Sequence, residues 1–214
     1  VTRIGWRSLD RLDPGVPRRR AFLHVAGQAR HKGTDALIRA WRPEWLQLTV
    51  VSASRLETHQ SNITTLGRIS PEQLHQLQNE HCFHIYPARY EGYGHAEWEG
   101  LSCGAMVFAT NGSPFNEHPG LFRLLPAVRT GDGPVAWHDV PASSIADAAR
   151  WALDASDSEI SACRARSRKG WEDAAAAFEA RIRAVLAPPG TTRRLTLHSP
   201  LPRCGVAEYG RQLD

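Results

Sequence analysis

Between residues 21 and 110, short apolar runs alternate with longer amphipathic segments, the rhythm of strands followed by helices. The runs Phe22 to Ala26, Leu48 to Ser52, Ile63 to Leu66, Phe83 to Pro87 and Val107 to Thr110 read as buried strands. Thr34 to Trp41, Pro71 to Asn79 and His95 to Cys103 carry helical spacing between them. Apolar strands of this kind, each needing cover on both faces, predict a Rossmann-like α/β fold: a parallel sheet with helices on both sides. Further along, Asn111 to Gly120 is a Gly/Pro loop, and Pro126 to Arg129 and Val135 to Trp137 are short strand candidates. Ala142 to Asp154 and Glu172 to Leu186 read as helices, the first opened by Pro141 and Ser143, the second stopped by Pro188-Pro189-Gly190.

These signals divide the chain into a Pro- and Arg-rich linker at 1–20, one α/β domain at 21–187 and a tail at 188–214. Within the tail, Arg194 to Pro200 reads as a strand, and Pro202 to Tyr209 as a glycine turn opening another helix.

The chemistry is concentrated in Arg89-Tyr90-Glu91-Gly92-Tyr93-Gly94-His95-Ala96-Glu97-Trp98-Glu99-Gly100. Glu91 to Gly94 is predicted to be a strand-to-helix loop. Gly92 and Gly94 have no Cβ, so backbone can approach a ligand, and the amides of Gly94 and His95 at a helix start attract an anion. Glu99, about one turn into the helix, is placed to accept hydrogen bonds from a ribose diol. A second glycine loop, Gly27-Gln28-Ala29-Arg30-His31-Lys32-Gly33, follows the first strand. Lys32 there is a cation for a diphosphate; outside that Lys-Gly context it would read as an ordinary surface lysine.

Together these residues resemble retaining glycosyltransferases of the two-domain GT-B fold, in particular family 4. Glu91 and Glu99 match its Glu-x7-Glu motif, Leu23 to Gly33 is similar to its phosphate loop, Ile63 to Leu74 to its strand, glycine turn and helix, and Leu101 to Thr110 to its small-residue turn and next strand. The resemblance covers roughly residues 21–186 and implies the C-terminal, donor-binding half of such an enzyme. It implies that Lys32 and Glu91 take part in transfer, Glu91 holding hydroxyls of the sugar. Gly27, Gln28, Arg30, Lys32, Leu66, Glu91, Gly92, Tyr93, Gly94, His95 and Glu99 would bind the nucleotide-diphosphate sugar, with Thr65, Leu66 and Gly67 bordering the base. No metal or separate cofactor is implied, since Lys32, Arg30 and the helix amides would carry the leaving-group charge. The family has an arginine where Gln28 stands, and a neutral amide offers a leaving diphosphate less charge than a guanidinium. The tail looks like the opening of a second transferase domain.

Gly100-Leu101-Ser102-Cys103-Gly104 matches the G-x-S-x-G pattern of serine hydrolases, but helix precedes the serine and strand follows it, the reverse of a nucleophile elbow. His81 and His84 bracket a strand start with no nearby acidic partner, so no metal site is expected. His95 is expected to contact ligand or cap its helix. Glu97, on another helical face from Glu99, is expected to be solvated, and the tryptophans to pack on the sheet.

Composition narrows the setting. The four cysteines, Cys82, Cys103, Cys163 and Cys204, form no C-x-x-C pair, and no apolar run is long enough to span a bilayer, so a cytoplasmic location is expected. The net charge of +4 includes Arg18 to Arg20 and Arg164, Arg166, Arg168 and Lys169, read as solvated runs that could also touch the inner face of a membrane. No nucleic-acid module is present. The expected partners are a nucleotide sugar and an acceptor glycan, lipid-linked sugar or small molecule, the acceptor being held by an N-terminal domain outside these residues. The isolated chain is then expected to be inactive. A non-catalytic nucleotide-sugar-binding module and a sugar-nucleotide epimerase are the alternatives.

Overall fold

The computed structural model describes residues 9–54, 56–118, 120–131 and 136–186. The expected second domain start at 188–214 lies outside them. Six strands form the main sheet: β1 (Arg19–Gly27), β2 (Leu48–Ser52), β3 (Ile63–Leu66), β4 (His81–Tyr86), β5 (Met106–Thr110) and β6 (Arg123–Leu125). Their order is β3-β2-β1-β4-β5-β6, and every neighbouring pair is parallel. The helices are α1 (Thr34–Ala40), α2 (Pro71–Glu80), α3 (His95–Ser102), α4 (Ala142–Asp154) and α5 (Asp157–Leu186). Two further strands, β7 (Val128–Thr130) and β8 (Trp137–Asp139), pair as a separate antiparallel ribbon.

Both faces of the sheet are covered. On one, Phe22, Phe83 and Phe108 pack with Trp41 and with Ile145, Ala148 and Ala152 of α4. The Phe22 ring meets Trp41 edge-on at 5.1 Å and Phe83 at 5.0 Å. Removing a fully buried ring from such a cluster costs about 3–5 kcal/mol. On the other face, Tyr86, Val107 and Ala109 pack with Trp98 and Leu101 of α3 and with Trp171 and Ala175 of α5. Local signals set the element starts. Ser70 and Gln73 exchange the two hydrogen bonds of a capping box, with Pro71 opening α2.

Several expectations need correction. β1 starts at Arg19, earlier than the predicted Phe22, and α5 runs 30 residues from Asp157 rather than beginning at Glu172. Arg123–Leu125 joins the sheet beside β5, although no strand is predicted there. Of the tryptophans, Trp41, Trp98 and Trp171 are buried, but Trp137 is 44% exposed.

The basic runs are not simply solvated. Arg168 donates to the Ser102 carbonyl at 2.6 Å, Arg18 to that of Cys103 at 2.6 Å and Arg164 to that of Gly104 at 3.0 Å. Three guanidinium groups therefore close the C-terminal end of α3, where unpaired carbonyls and the negative dipole end favour cations. Arg20 does the same for α4, donating to the carbonyls of Ala152 at 2.9 Å and Ala155 at 2.8 Å. Arg166 and Lys169 are exposed, as expected. Among the described residues, no helix is long and apolar enough to cross a membrane.

Candidate functional site

The strand order reverses between β1 and β4: the chain leaves β1 toward β2 and β3, then crosses back to β4. In open parallel sheets the crevice beyond the carboxyl ends at this point is where ligands bind. Two loops meet there, 28–33 after β1 and 87–94 after β4.

They are held together by four contacts. The Arg89 amide donates to the His31 carbonyl at 2.7 Å. The His31 and Tyr90 rings stack at 4.3 Å. Lys32 forms an ion pair with Glu91. Gly33, at φ +72°, lies so close to Pro87 that a Cβ would overlap the proline carbonyl. The Tyr90 ring in turn meets Trp137 at 5.3 Å, and Arg89 pairs with Asp139 at 2.7 Å, tying the β7–β8 ribbon to the same loop.

Beneath the loops lies a histidine that sequence reasoning missed. His24 of β1 is fully buried, its Nδ1 2.7 Å from the Ile85 carbonyl and its Nε2 2.9 Å from Thr34 Oγ1. It joins β1, β4 and the start of α1. Burial, with a smaller contribution from the Lys32 charge, depresses its pKa to about 4. Its polar character inside the run Leu23-His24-Val25 was the available signal.

The expected site residues other than Glu99 fall into three groups. Lys32 and Glu91 are in direct contact, with side chains only 15% and 9% exposed. Gly94, at φ +82°, opens α3 beside them; a Cβ there would overlap the Phe115 ring. Gly27, Gln28, Arg30, Gly92 and His95 are exposed around this point, and Tyr93 is half-buried with its ring stacked on Trp98 at 5.6 Å. Leu66 ends β3, two strands away from β1 along the same sheet edge, with Thr65 before it and Gly67 after it.

Glu99 is not gathered to Lys32 by a direct contact. Its Oε2 accepts from Gln78 Nε2 of α2 at 2.7 Å, and Gln78 Oε1 accepts from Arg11 at 2.7 Å. Glu97, expected to be solvated, is instead fully buried, and its carboxylate meets no donor from another residue, only the amide of Glu97 itself. The physical reason is Gly94: the first turn of α3 points Glu97 back over a residue without a side chain, so its Oε2 lies 3.1 Å from where a Gly94 Cβ would stand. Burial raises the Glu97 pKa to about 7, Lys32 pulling it down and Glu91 and Glu99 pushing it further up. For Lys32, burial works to lower the pKa, but Glu97 and Glu91 outweigh it and the net shift is upward. A protonated lysine thus sits among three carboxylates at a helix start.

The residues considered for other chemistries are engaged structurally. Ser102 Oγ donates to the Glu99 carbonyl at 2.8 Å in the last turn of α3. His81 places Nδ1 2.7 Å from the Leu77 carbonyl and Nε2 3.0 Å from Thr49 Oγ1, while His84 Nε2 is 3.2 Å from the Gln78 carbonyl.

No protein-family model matches the chain, and no curated protein sequence matches it. Solved structures do. A protein of the GtfA/B complex superposes with a TM-score of 0.65 at 19% identity, over 84% of this chain and 38% of that one. WaaG, a glycosyltransferase involved in lipopolysaccharide biosynthesis, gives 0.58 at 17% identity, over 86% of this chain and 55% of that one. The C-terminal domain of the glycosyl transferase group 1 family protein LpcC from Francisella tularensis gives 0.52 at 16% identity, over 81% of this chain and 94% of that domain. The fold is that of the Rossmann-like C-terminal half of a GT-B glycosyltransferase. At these identities the likeness is one of fold, and the chain spans little more than half, or less, of the first two proteins.

Proposed function

We propose that this domain binds a nucleotide-diphosphate sugar and supplies the donor half of a retaining glycosyltransferase, with the acceptor held by a further domain. The observation that carries the reading is Lys32, fixed beside the start of α3 at the point where the strand order reverses. A diphosphate there would meet an ammonium group and the positive end of a helix together. Glu91, already in contact with Lys32, is positioned to receive sugar hydroxyls once phosphate oxygens take its place on the lysine. Lys32, Arg30 at the rim and the α3 amides would stabilise charge on the departing diphosphate, the part a metal plays elsewhere.

A second reading, nucleotide-sugar binding without turnover, draws on the exposed neutral Gln28 and on the carboxylates that offset the Lys32 charge. Titration of the chain with UDP, GDP, UDP-glucose and GDP-mannose, alongside Lys32→Ala, tests the site. Binding that weakens at least about tenfold in the variant, the loss of a charge-assisted hydrogen bond or more, is expected. Equal affinities would remove Lys32 from the site. Sugar transfer after the domain is joined to an acceptor-binding half would separate the transferase from the passive binder.

A further inference from the structure

Among the described ionisable groups around Lys32, Glu97 is the one whose carboxylate meets no donor from another residue. Lys32 is paired with Glu91, Glu99 is held by Gln78, and the Tyr86 hydroxyl lies 3.4 Å from His84 Nδ1. A carboxylate buried with no donor beyond its own amide carries a large desolvation cost, so it either takes a proton or depends on a nearby cation. Here that cation is Lys32, contributed by the β1–α1 loop, and the opposing negative groups are Glu91 of the β4–α3 loop and Glu99 of α3 itself. From β4, Tyr86 faces the same cluster as a neutral phenol, held so by burial and by the Glu97 and Glu99 charges.

This arrangement cannot keep its charge state when an anion arrives. A phosphate that engages Lys32 withdraws the compensation Glu97 depends on and adds negative charge beside it. We infer that Glu97 is a positioning residue of the anion site that takes one proton from solvent as a phosphate-bearing ligand binds, removing a negative charge that opposes that ligand beside Lys32. Ionised, Glu97 repels the ligand and offsets the lysine's field; protonated, it does neither. Lys32 keeps its own three protons throughout. The inference deepens the proposed diphosphate site and rests on it. The half-titration of Glu97 at about pH 7 would make the linkage visible near neutrality.

The experiment is calorimetric titration of the full chain with UDP-glucose and with GDP-mannose. Their diphosphates are esterified at both ends and bring no group of their own that titrates near neutral pH. Binding heats in buffers of different ionisation enthalpy should show uptake of about half a proton at pH 7. If only the protonated form is competent, affinity should fall roughly tenfold between pH 6 and pH 8. Glu97→Gln, neutral and of the same shape, should bind without that uptake and hold its pH 6 affinity at pH 8. His31 and His95 on the same loops are present in both proteins and cancel in the comparison. If Glu97→Gln does not fold, Glu97→Met, similar in length and uncharged, takes its place, and an uptake unchanged from that of the unmodified chain overturns the inference. Binding with the same proton uptake and pH profile in both proteins overturns it while leaving the diphosphate site standing. No binding of either probe overturns the site reading, and this inference with it.

Discussion

The amide of Arg89 donates to the carbonyl of His31 at 2.7 Å, joining the loop that follows β4 to the loop that follows β1. This one bond brings the two halves of the candidate site into register, because Lys32 follows His31 directly and Glu91 lies two residues beyond Arg89. Gly33 completes the seam by letting the lysine loop pass against Pro87. Gly33→Ala would add left-handed strain and an overlap with backbone that cannot turn aside, so a loss of about 2–4 kcal/mol is expected. Gly27→Ala is the comparison: its φ is +59°, but nothing lies within 4 Å of the added carbon, so only about 1 kcal/mol of strain applies. Urea midpoints of the two variants test the seam, and equal losses would mean that the contact with Pro87 is dispensable.

Glu97 gives a second test that needs no ligand. Its pKa is raised from an ordinary 4.5 to about 7 in the fold. The folded protein therefore holds a proton that the unfolded chain has released between those values, and stability falls as pH rises from 4.5 through 7. Glu97→Gln removes this dependence. Relative to its standing at pH 4.5, the variant should gain up to about 3 kcal/mol over the unmodified chain at pH 8, following the conversion of pKa shift to free energy. A difference that does not change with pH would place the carboxyl in water.

The histidines act in the opposite sense. Burial lowers His24 and His81 to about 4 and His84 to about 3, so all three stay neutral in the fold where the unfolded chain would bind protons. Their contribution is complete above about pH 6.5 and is lost as pH falls toward 4. With Glu97 opposing them, the unfolded state binds about two more protons than the folded state between pH 5.5 and 4.5. Stability should drop by roughly 2–3 kcal/mol per pH unit there. Denaturation curves across that range check the slope, and a flat profile would mean that these rings are not buried neutral.

The alternation of apolar runs placed β2, β3 and α4 at their observed bounds, because each is closed by plain signals: a run of buried residues, a glycine turn, or Pro141. Where the reading failed, interactions distant in sequence decide. The first half of α5 looks polar because only a thin stripe of it, including Ile160, Ser167 and Trp171, faces the protein, while Arg164 and Arg168 reach across to α3. β6 has three residues and exists through its pairing with β5. Glu97 was misjudged from helical spacing alone, which does not register the space that Gly94 leaves. The Lys32 and Glu91 neighbourhood was legible from the two glycine loops, whereas the pairing of Glu99 with Gln78 depends on how α2 packs beside α3.

The closing of α3 by arginines predicts unequal consequences within one basic run. Arg168 donates to Ser102, pairs with both oxygens of Asp10 at 2.6 and 2.7 Å and lies over the Trp171 ring at 4.7 Å. Arg168→Ala removes the donor from the Ser102 carbonyl and the pair with Asp10, and should cost about 2 kcal/mol. Arg166, two residues earlier and exposed, should tolerate the same change within about 0.5 kcal/mol. Thermal melts of the two variants decide the matter, and equal effects would return the run to a solvated helix face.

Gln28 tests how far the site depends on positive charge. It is exposed beside Gly27 at the end of β1, on the loop that carries Lys32. On the proposed reading, an incoming diphosphate would meet a lysine whose charge is already shared with Glu91 and offset by Glu97, leaving little net attraction at the mouth. Gln28→Arg would add a guanidinium that can hold two phosphate oxygens at once without disturbing the pair below it. Binding of UDP-glucose or GDP-mannose should tighten up to roughly tenfold at low salt, the range of one charge-assisted hydrogen bond, and the gain should shrink as ionic strength rises. Arg30→Ala in the same background shows whether the neighbouring arginine already fills this role: if it does, the single Gln28→Arg change adds little and Arg30→Ala alone weakens binding. Neither change affecting affinity at low salt would mean that this loop does not face the phosphate, and the site would have to be sought on the β4–α3 loop alone.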